Sequence, residues 1–227
     1  MGLSIAVFVP EGIVIGCDTQ AEVNNSDDGF VQANQSRLFT FADRFLINII
    51  GSGFSNGLPY AYYVEKVLCT LKERVFDTTR EFAVSFDEKF TSMIGKDEHA
   101  VYYIAGIDSS KETVFEPVVY LVEDKNVNAI NRGINRNVVY NYHAIGNTMW
   151  LDKLILPTSS RVNDDEEIVL DEARIDFSKY SMSNAVEFVK TMLSISNSMD
   201  KFAQLKPRVG SDIAIGILTL SSKIKFI

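Results

Sequence analysis

The chain has 227 residues, of which 46% are hydrophobic, so it can bury a substantial core as one domain. Its net charge of −8 argues against a nucleic-acid-binding protein and against attachment to an anionic membrane surface, because both functions favour basic faces. No apolar run is long enough for a transmembrane helix and no secretory signal opens the sequence. We therefore expect no membrane-spanning segment. We expect the protein in the cytoplasm, and also in the nucleus if the organism is eukaryotic.

The first fifty residues predict two β-hairpins. β-Branched and aromatic residues crowd four short segments, which we predict as strands: Ser4–Val9, Ile13–Asp18, Ser36–Phe41 and Phe45–Gly51. Pro10 and Gly12 form the first turn, since proline presets φ and glycine tolerates positive φ. The polar segment 19–35 between the hairpins is predicted to be a loop.

After residue 51, the sequence predicts two groups of helices and two groups of strands. Apolar spacings of three and four predict helices over 58–75, 78–94, 146–155 and 183–196. Short β-branched runs predict six more strands: Val101–Ile107, Pro117–Glu123, Val127–Ile130, Asn137–Ala144, Ile213–Leu220 and Ile224–Ile227. The acidic segment 157–179 is predicted to be an exposed excursion.

This order lacks the βαβ alternation of a doubly wound parallel sheet. It favours an α+β fold in which two antiparallel sheets pack face to face and helices cover their outer faces. We predict a four-layer αββα sandwich that forms a single domain over residues 1–227.

Isolated reactive side chains are predicted to be structural. Cys17 and Cys69 lie in apolar runs, as is typical of buried thiols in a reducing compartment. His99 is expected in a solvated turn, and the role of His143 at a strand end stays open. No ligand set with metal-binding spacing occurs, so we expect neither a metal nor a cofactor.

Several short motifs, in this order along the chain, resemble a proteasome-type subunit of the N-terminal-nucleophile hydrolase superfamily. The motifs are Gly2–Val7, Glu11–Val14, Gly16–Asp18, Arg37–Phe39, Asp43–Arg44, Gly51, Tyr103–Asp108, Tyr142–Gly146 and Val209–Ile215. The resemblance is to the β-like type, because the long N-terminal helix of α-type subunits is missing. It also implies the four-layer sandwich.

The resemblance implies a catalytic site in which two positions have changed. The family's threonine peptidases use an N-terminal Thr as nucleophile and base, a Lys, an orienting Asp and a glycine N–H for the oxyanion. At these positions the sequence has Gly2, Arg37, Asp18 and Gly51, respectively. Glycine offers no nucleophile and arginine stays protonated, so we expect no intact catalytic site.

Three hypotheses for the function follow. In the first, the chain is a non-catalytic β-like subunit of a proteasome-type ring assembly for protein degradation. Its partners would be other proteasome-type subunits in stacked rings, with an ATP-driven or other activator. In the second, it is a divergent peptidase or amide hydrolase that uses Ser4 after processing, although Ser4 lies about 6–7 Å along the strand from the nucleophile position. In the third, it is a free-standing binding protein. Whether the chain is an enzyme stays open, and the first hypothesis is preferred.

Overall fold

The protein is described by a computed structural model. The structure describes residues 2–25, 29–51, 53–95, 100–111, 114–123, 125–133, 135, 137–155, 159–163, 166–169, 175–203, 212–221 and 223–227. Within these ranges no helix is both long and apolar enough to cross a membrane.

Sixteen strands and four α-helices are present in the described part of the chain. The strands are β1 (Leu3–Val9), β2 (Gly12–Asp18), β3 (Gln20–Asn25), β4 (Gly29–Asn34), β5 (Leu38–Phe41), β6 (Phe45–Ile50), β7 (Phe54–Ser55), β8 (Leu58–Pro59), β9 (Val101–Lys111), β10 (Val114–Glu123), β11 (Asn126–Ala129), β12 (Tyr142–Gly146), β13 (Ser159–Asn163), β14 (Glu166–Val169), β15 (Ile213–Thr219) and β16 (Ile224–Phe226). The helices are α1 (Tyr60–Leu71), α2 (Thr79–Ile94), α3 (Met149–Ile155) and α4 (Met182–Phe202), and a 3-10 turn covers Phe177–Lys179.

Two five-stranded antiparallel sheets organise the fold. Sheet I has the strand order β12-β1-β2-β15-β16, and sheet II has the order β11-β10-β9-β6-β5. The two hairpins predicted for the first fifty residues are present, one in each sheet. The predicted α+β class with two antiparallel sheets and helices is confirmed.

Three apolar clusters hold these elements together. Between the sheets, side chains of sheet I such as Phe8 and Ile15 pack with side chains of sheet II such as Leu46 and Tyr103. On the other face of sheet II, the apolar face of α1 and the aromatic stripe of α2 form the second cluster; the stripe consists of Phe82, Phe86 and Phe90. On the other face of sheet I, α4 and α3 form the third, which includes Leu193. Burial of these faces provides the main driving force for folding.

The segment 19–35 was predicted to be a loop, and this prediction was wrong. The segment contains the hairpin β3–β4. Its register pairs Val23 with Val31 and Ala21 with Ala33. Polar residues dominate both strands, so the alternation that marks a half-buried strand is weak here. Backbone pairing between Gln20–Asn25 and Gly29–Asn34 forms the hairpin in spite of this composition.

The boundaries of two predicted helices were wrong. Helix α1 ends at Leu71 rather than at Val75, the predicted end, and Val75 is 87% exposed. Helix α4 begins at Met182 because the Ser181 side chain accepts a hydrogen bond from the Asn184 N–H, and it continues to Phe202. The predicted bounds were 183–196.

Part of the predicted exposed excursion is also buried. Phe177 is 3% exposed, and its ring centroid lies 5.2 Å from that of Phe188 on α4. Phe177, together with the partly buried Ile175, therefore anchors the end of this acidic segment to the core. Asp164 and Asp165, the start of its acidic run, lie outside the described residues.

Candidate functional site

Gly2 and Asp18 lie together where β1 begins and β2 ends. The backbone N–H of Leu3 donates a 3.0 Å hydrogen bond to Asp18 Oδ1, and the Asp18 side chain is fully buried. A Cβ atom built on Gly2 would lie 2.0 Å from Asp18 Oδ1 and 2.7 Å from its Cγ. Such distances are far inside van der Waals contact, so the Asp18 carboxylate occupies the space in which a side chain at position 2 would begin.

The strand-to-helix junction closes the other side of Gly2. The Gly2 carbonyl accepts a 3.0 Å hydrogen bond from the Asn147 N–H. Gly146 has a φ of +103°, and a Cβ there would lie 1.9 Å from the Gly2 carbonyl oxygen. Position 146 therefore requires glycine both for its backbone conformation and for this close approach.

Ser4 is part of a buried polar link between the two sheets. Its hydroxyl hydrogen-bonds to Asn48 Oδ1 on β6 and lies 3.3 Å from the Gly16 carbonyl. The Asn48 side-chain amide in turn donates to the Arg37 carbonyl at 3.1 Å. Asn48 is fully buried and Ser4 is 1% exposed, so the Ser4 hydroxyl is held in the interior between the sheets.

Sequence reasoning missed Asn48. The signal was present in the sequence, because an amide in the middle of the apolar strand β6 needs hydrogen-bond partners when the strand is buried. Ser4 and the Arg37 backbone supply those partners.

Arg37 and Gly51 lie near the ends of the second hairpin. The Arg37 residue is 6% exposed and directly precedes β5, and its carbonyl also accepts the Ile49 N–H at 2.9 Å. Gly51 directly follows β6, with a φ of +146°. The structure thus joins Gly2 to Asp18, and joins Ser4 through Asn48 to the Arg37 backbone.

Cys17 is a poor nucleophile in this environment. It is 1% exposed, and burial together with the Asp18 charge raises the pKa of its thiol from 9.0 to about 12, although Arg37 and Asn48 act in the opposite direction. Because the thiolate is the reactive form, the Cys17 thiol is unreactive at neutral pH. Cys69, predicted to be buried, is instead exposed on α1, because it lies on the solvent side of that amphipathic helix.

His143 on β12 pairs with Tyr103 on β9. The Tyr103 hydroxyl lies 2.8 Å from His143 Nδ1, and burial lowers the pKa of this half-buried imidazole. The interaction links the two sheets. His99 lies outside the described residues, and the residues that the structure describes contain no cluster of three or more potential metal ligands.

Alkylation of the native protein tests this description of the thiols. Near pH 8, iodoacetamide should modify Cys69 and leave Cys17 intact, because Cys17 is both buried and protonated. Intact-mass measurement should show one adduct on the folded chain and two in denaturant. The Cys69→Ser variant, as a control, should show none when folded, and rapid native labelling of Cys17 would contradict the structure.

Comparison with solved structures shows what this fold resembles. The chain is similar to Anbu from Hyphomicrobium sp. strain MC1, with 15% identity, a TM-score of 0.63 and coverage of 99% of this chain and 86% of that one. It is also similar to Anbu from Yersinia bercovieri, described as an ancestral β-subunit, with 11% identity, a TM-score of 0.60 and coverage of 99% and 87%. A helical assembly of the Anbu complex from Pseudomonas aeruginosa matches with 14% identity, a TM-score of 0.60 and coverage of 96% and 81%.

Comparison of the sequence with protein families and with curated proteins does not assign the chain to a family. No protein-family model matches the chain, and no curated protein matches it. At 11–15% identity, the structural likenesses establish a shared fold. They also correct the resemblance drawn from the sequence: the chain is similar to Anbu proteins, and its assignment as a proteasome-type β-like subunit was wrong. Its short motifs follow strands and turns of the fold, and they did not distinguish between these two groups.

Proposed function

We propose that this chain is a non-catalytic subunit of an Anbu-like, proteasome-related assembly. The observation that carries the proposal is the Asp18 carboxylate, which fills the space of a side chain at position 2. Gly2 itself offers no hydroxyl. The neighbouring candidates Ser4 and Cys17 are each 1% exposed, so neither presents a nucleophile to a substrate.

We also propose how the helices and sheets are layered in this fold. Helices α1 and α2 pack on sheet II, sheet II packs on sheet I, and sheet I packs on α3 and α4. These contacts support a four-layer αββα sandwich and a single domain over residues 1–227.

The proposed assembly consists of repeated copies of one chain. The Anbu complex of Pseudomonas aeruginosa is described as a helical assembly. A head-to-tail interface produces a ring when its rotation closes and a helix when it does not. We therefore propose a ring or an open helix of this chain, in place of mixed stacked rings, with an ATP-driven or other activator as a further partner.

The arrangement of β1 opposes the alternative in which Ser4 becomes the nucleophile after processing. Leu3, which processing would remove, is 1% exposed, pairs with Gly146 and donates its N–H to Asp18. Ser4 pairs with both Cys17 and Ile145 within sheet I. Removing residues 1–3 would therefore break core contacts as well as leave the Ser4 hydroxyl buried.

Electron microscopy of the purified protein tests the assembly directly. We expect closed rings or helical particles with one repeating subunit, and no hydrolysis of peptide amides by those particles. A homogeneous population of 25.4 kDa monomers would contradict the proposal. So would amide hydrolysis that is lost in the Ser4→Ala variant.

A further inference from the structure

A cavity of about 470 Å³ opens beside helix α2, where the helix faces the turn between β10 and β11. It is lined by residues of α2 and of the β10–β11 region, among them Val84, Asp87, Glu88, Thr91, Lys125 and Val127. Its volume lies in the range of small-molecule binding pockets. None of these residues belongs to the candidate site, so the cavity can have a separate role.

Asp87 provides a fixed, buried negative charge in this cavity. The residue is 7% exposed, and its Oδ1 atom accepts hydrogen bonds from the Tyr102 hydroxyl and, at 3.2 Å, from Thr91 Oγ1. Within the described ranges, no residue donates a hydrogen bond to Asp87 Oδ2 and no ion pair involves this carboxylate. In the described part of the chain, Asp87 Oδ2 is not among the fully buried side-chain atoms that lack a partner, so this oxygen is accessible to solvent and can accept hydrogen bonds from a cation.

We propose that the cavity binds an alkylammonium group, either a lysine side chain of another polypeptide or a free primary amine. The ammonium would donate to Asp87 Oδ2, and its aliphatic stem would pack against Val84 and Val127. An ammonium fits better than a guanidinium, because guanidinium pairs with both carboxylate oxygens and Oδ1 already has two donors.

The charges around the opening agree with a cationic ligand. Glu88 adds a second carboxylate to the lining and Lys125 contributes one opposing positive charge. Both side chains are exposed at the rim. The chain as a whole carries a net charge of −8, which also attracts cations. Removing the Lys125 charge should therefore strengthen binding.

Calorimetric titration of the full chain tests the proposal. The probes are n-butylammonium and the blocked tripeptide acetyl-Gly-Lys-Gly-amide, with n-butanol as the uncharged control. Asp87→Asn keeps the shape and the Oδ1 acceptor, and it should weaken binding of either probe about tenfold or more. Lys125→Gln should tighten binding several-fold, whereas Glu65→Gln, at an exposed position on α1, should leave it unchanged.

Each outcome decides the proposal. Binding of both probes supports it, and binding of the peptide alone supports it with a polypeptide lysine as the source. No binding of either probe, or equal binding of n-butanol, overturns it. Binding that survives in folded Asp87→Asn also overturns it. If that variant does not fold, an affinity unchanged by Lys125→Gln is the contradicting result.

Discussion

Replacing Gly2 with alanine is expected to lower the free energy of unfolding by about 1–3 kcal/mol, the usual cost of overpacking a buried site. The new Cβ would lie 2.0 Å from Asp18 Oδ1, and that carboxylate is fully buried and bound to the Leu3 N–H. Asp18 would have to move and give up this hydrogen bond. Urea denaturation of the variant and the wild type measures the difference.

Gly133→Ala is the matched control. A Cβ at Gly133 would have its nearest neighbour, Val139 Cγ2, at 3.4 Å, which is ordinary contact. Its free energy of unfolding should therefore stay within about 0.5 kcal/mol of the wild type. A Gly2→Ala variant as stable as this control would show that Asp18 does not occupy the site as described.

The Gly2→Thr variant extends the same argument to activity. Its added hydroxyl should not produce amide hydrolysis, because its side chain competes with Asp18 for the same space.

Replacing Phe82 with alanine should have the largest effect on stability, a loss of about 3–5 kcal/mol. Phe82 on α2 is fully buried, and its ring centroid lies 4.4 Å from that of Phe45 and 5.0 Å from that of Phe41. Both partners belong to the second hairpin, so the substitution leaves a cavity between α2 and sheet II. Thermal and urea unfolding should both report the loss.

Phe202→Ala provides the matched control for this prediction. Phe202 ends α4 and is 82% exposed, so removing its ring should change the free energy of unfolding by no more than about 0.5 kcal/mol. Equal losses at the two positions would contradict the packing of α2 on sheet II.

The elements that the sequence predicted well have strong local signals. The β1–β2 hairpin combines two runs of apolar β-formers with a Pro-Glu-Gly turn, and both strands are buried throughout. Helix α2 has an aromatic stripe and two residues that can cap its start, Asp77 and Thr78, of which Thr78 accepts the Glu81 N–H. Here propensity, periodicity and capping all favour the same structure.

Other features depend on tertiary contacts that a single sequence does not reveal. The strands of the β3–β4 hairpin are polar, so only their mutual pairing distinguishes them from a loop. Phe177 stands beside an acidic segment, and its burial depends on aromatic neighbours that include Tyr142, which is distant in the chain. The exposure of Cys69 depends on which face of α1 meets the sheet.

The candidate site was predictable in part. The resemblance assigned Gly2 and Asp18 to one site, and the two residues lie side by side in the structure. It did not predict that the Asp18 carboxylate fills the space of a side chain at position 2, nor that Asn48 binds Ser4 from the opposite sheet. Both features depend on side-chain positions across strands and sheets, which a pattern of residue types does not specify.

The most direct test is native mass spectrometry of the protein purified from its own source. The protein is first treated with an electrophilic peptide β-lactone, and subunits are then ejected from the assembly so that the mass of the single chain can be measured. The proposed function predicts an assembly of several identical subunits whose ejected chain carries no adduct. A monomer, a β-lactone adduct on the ejected chain, or a chain that begins at Ser4 would contradict it.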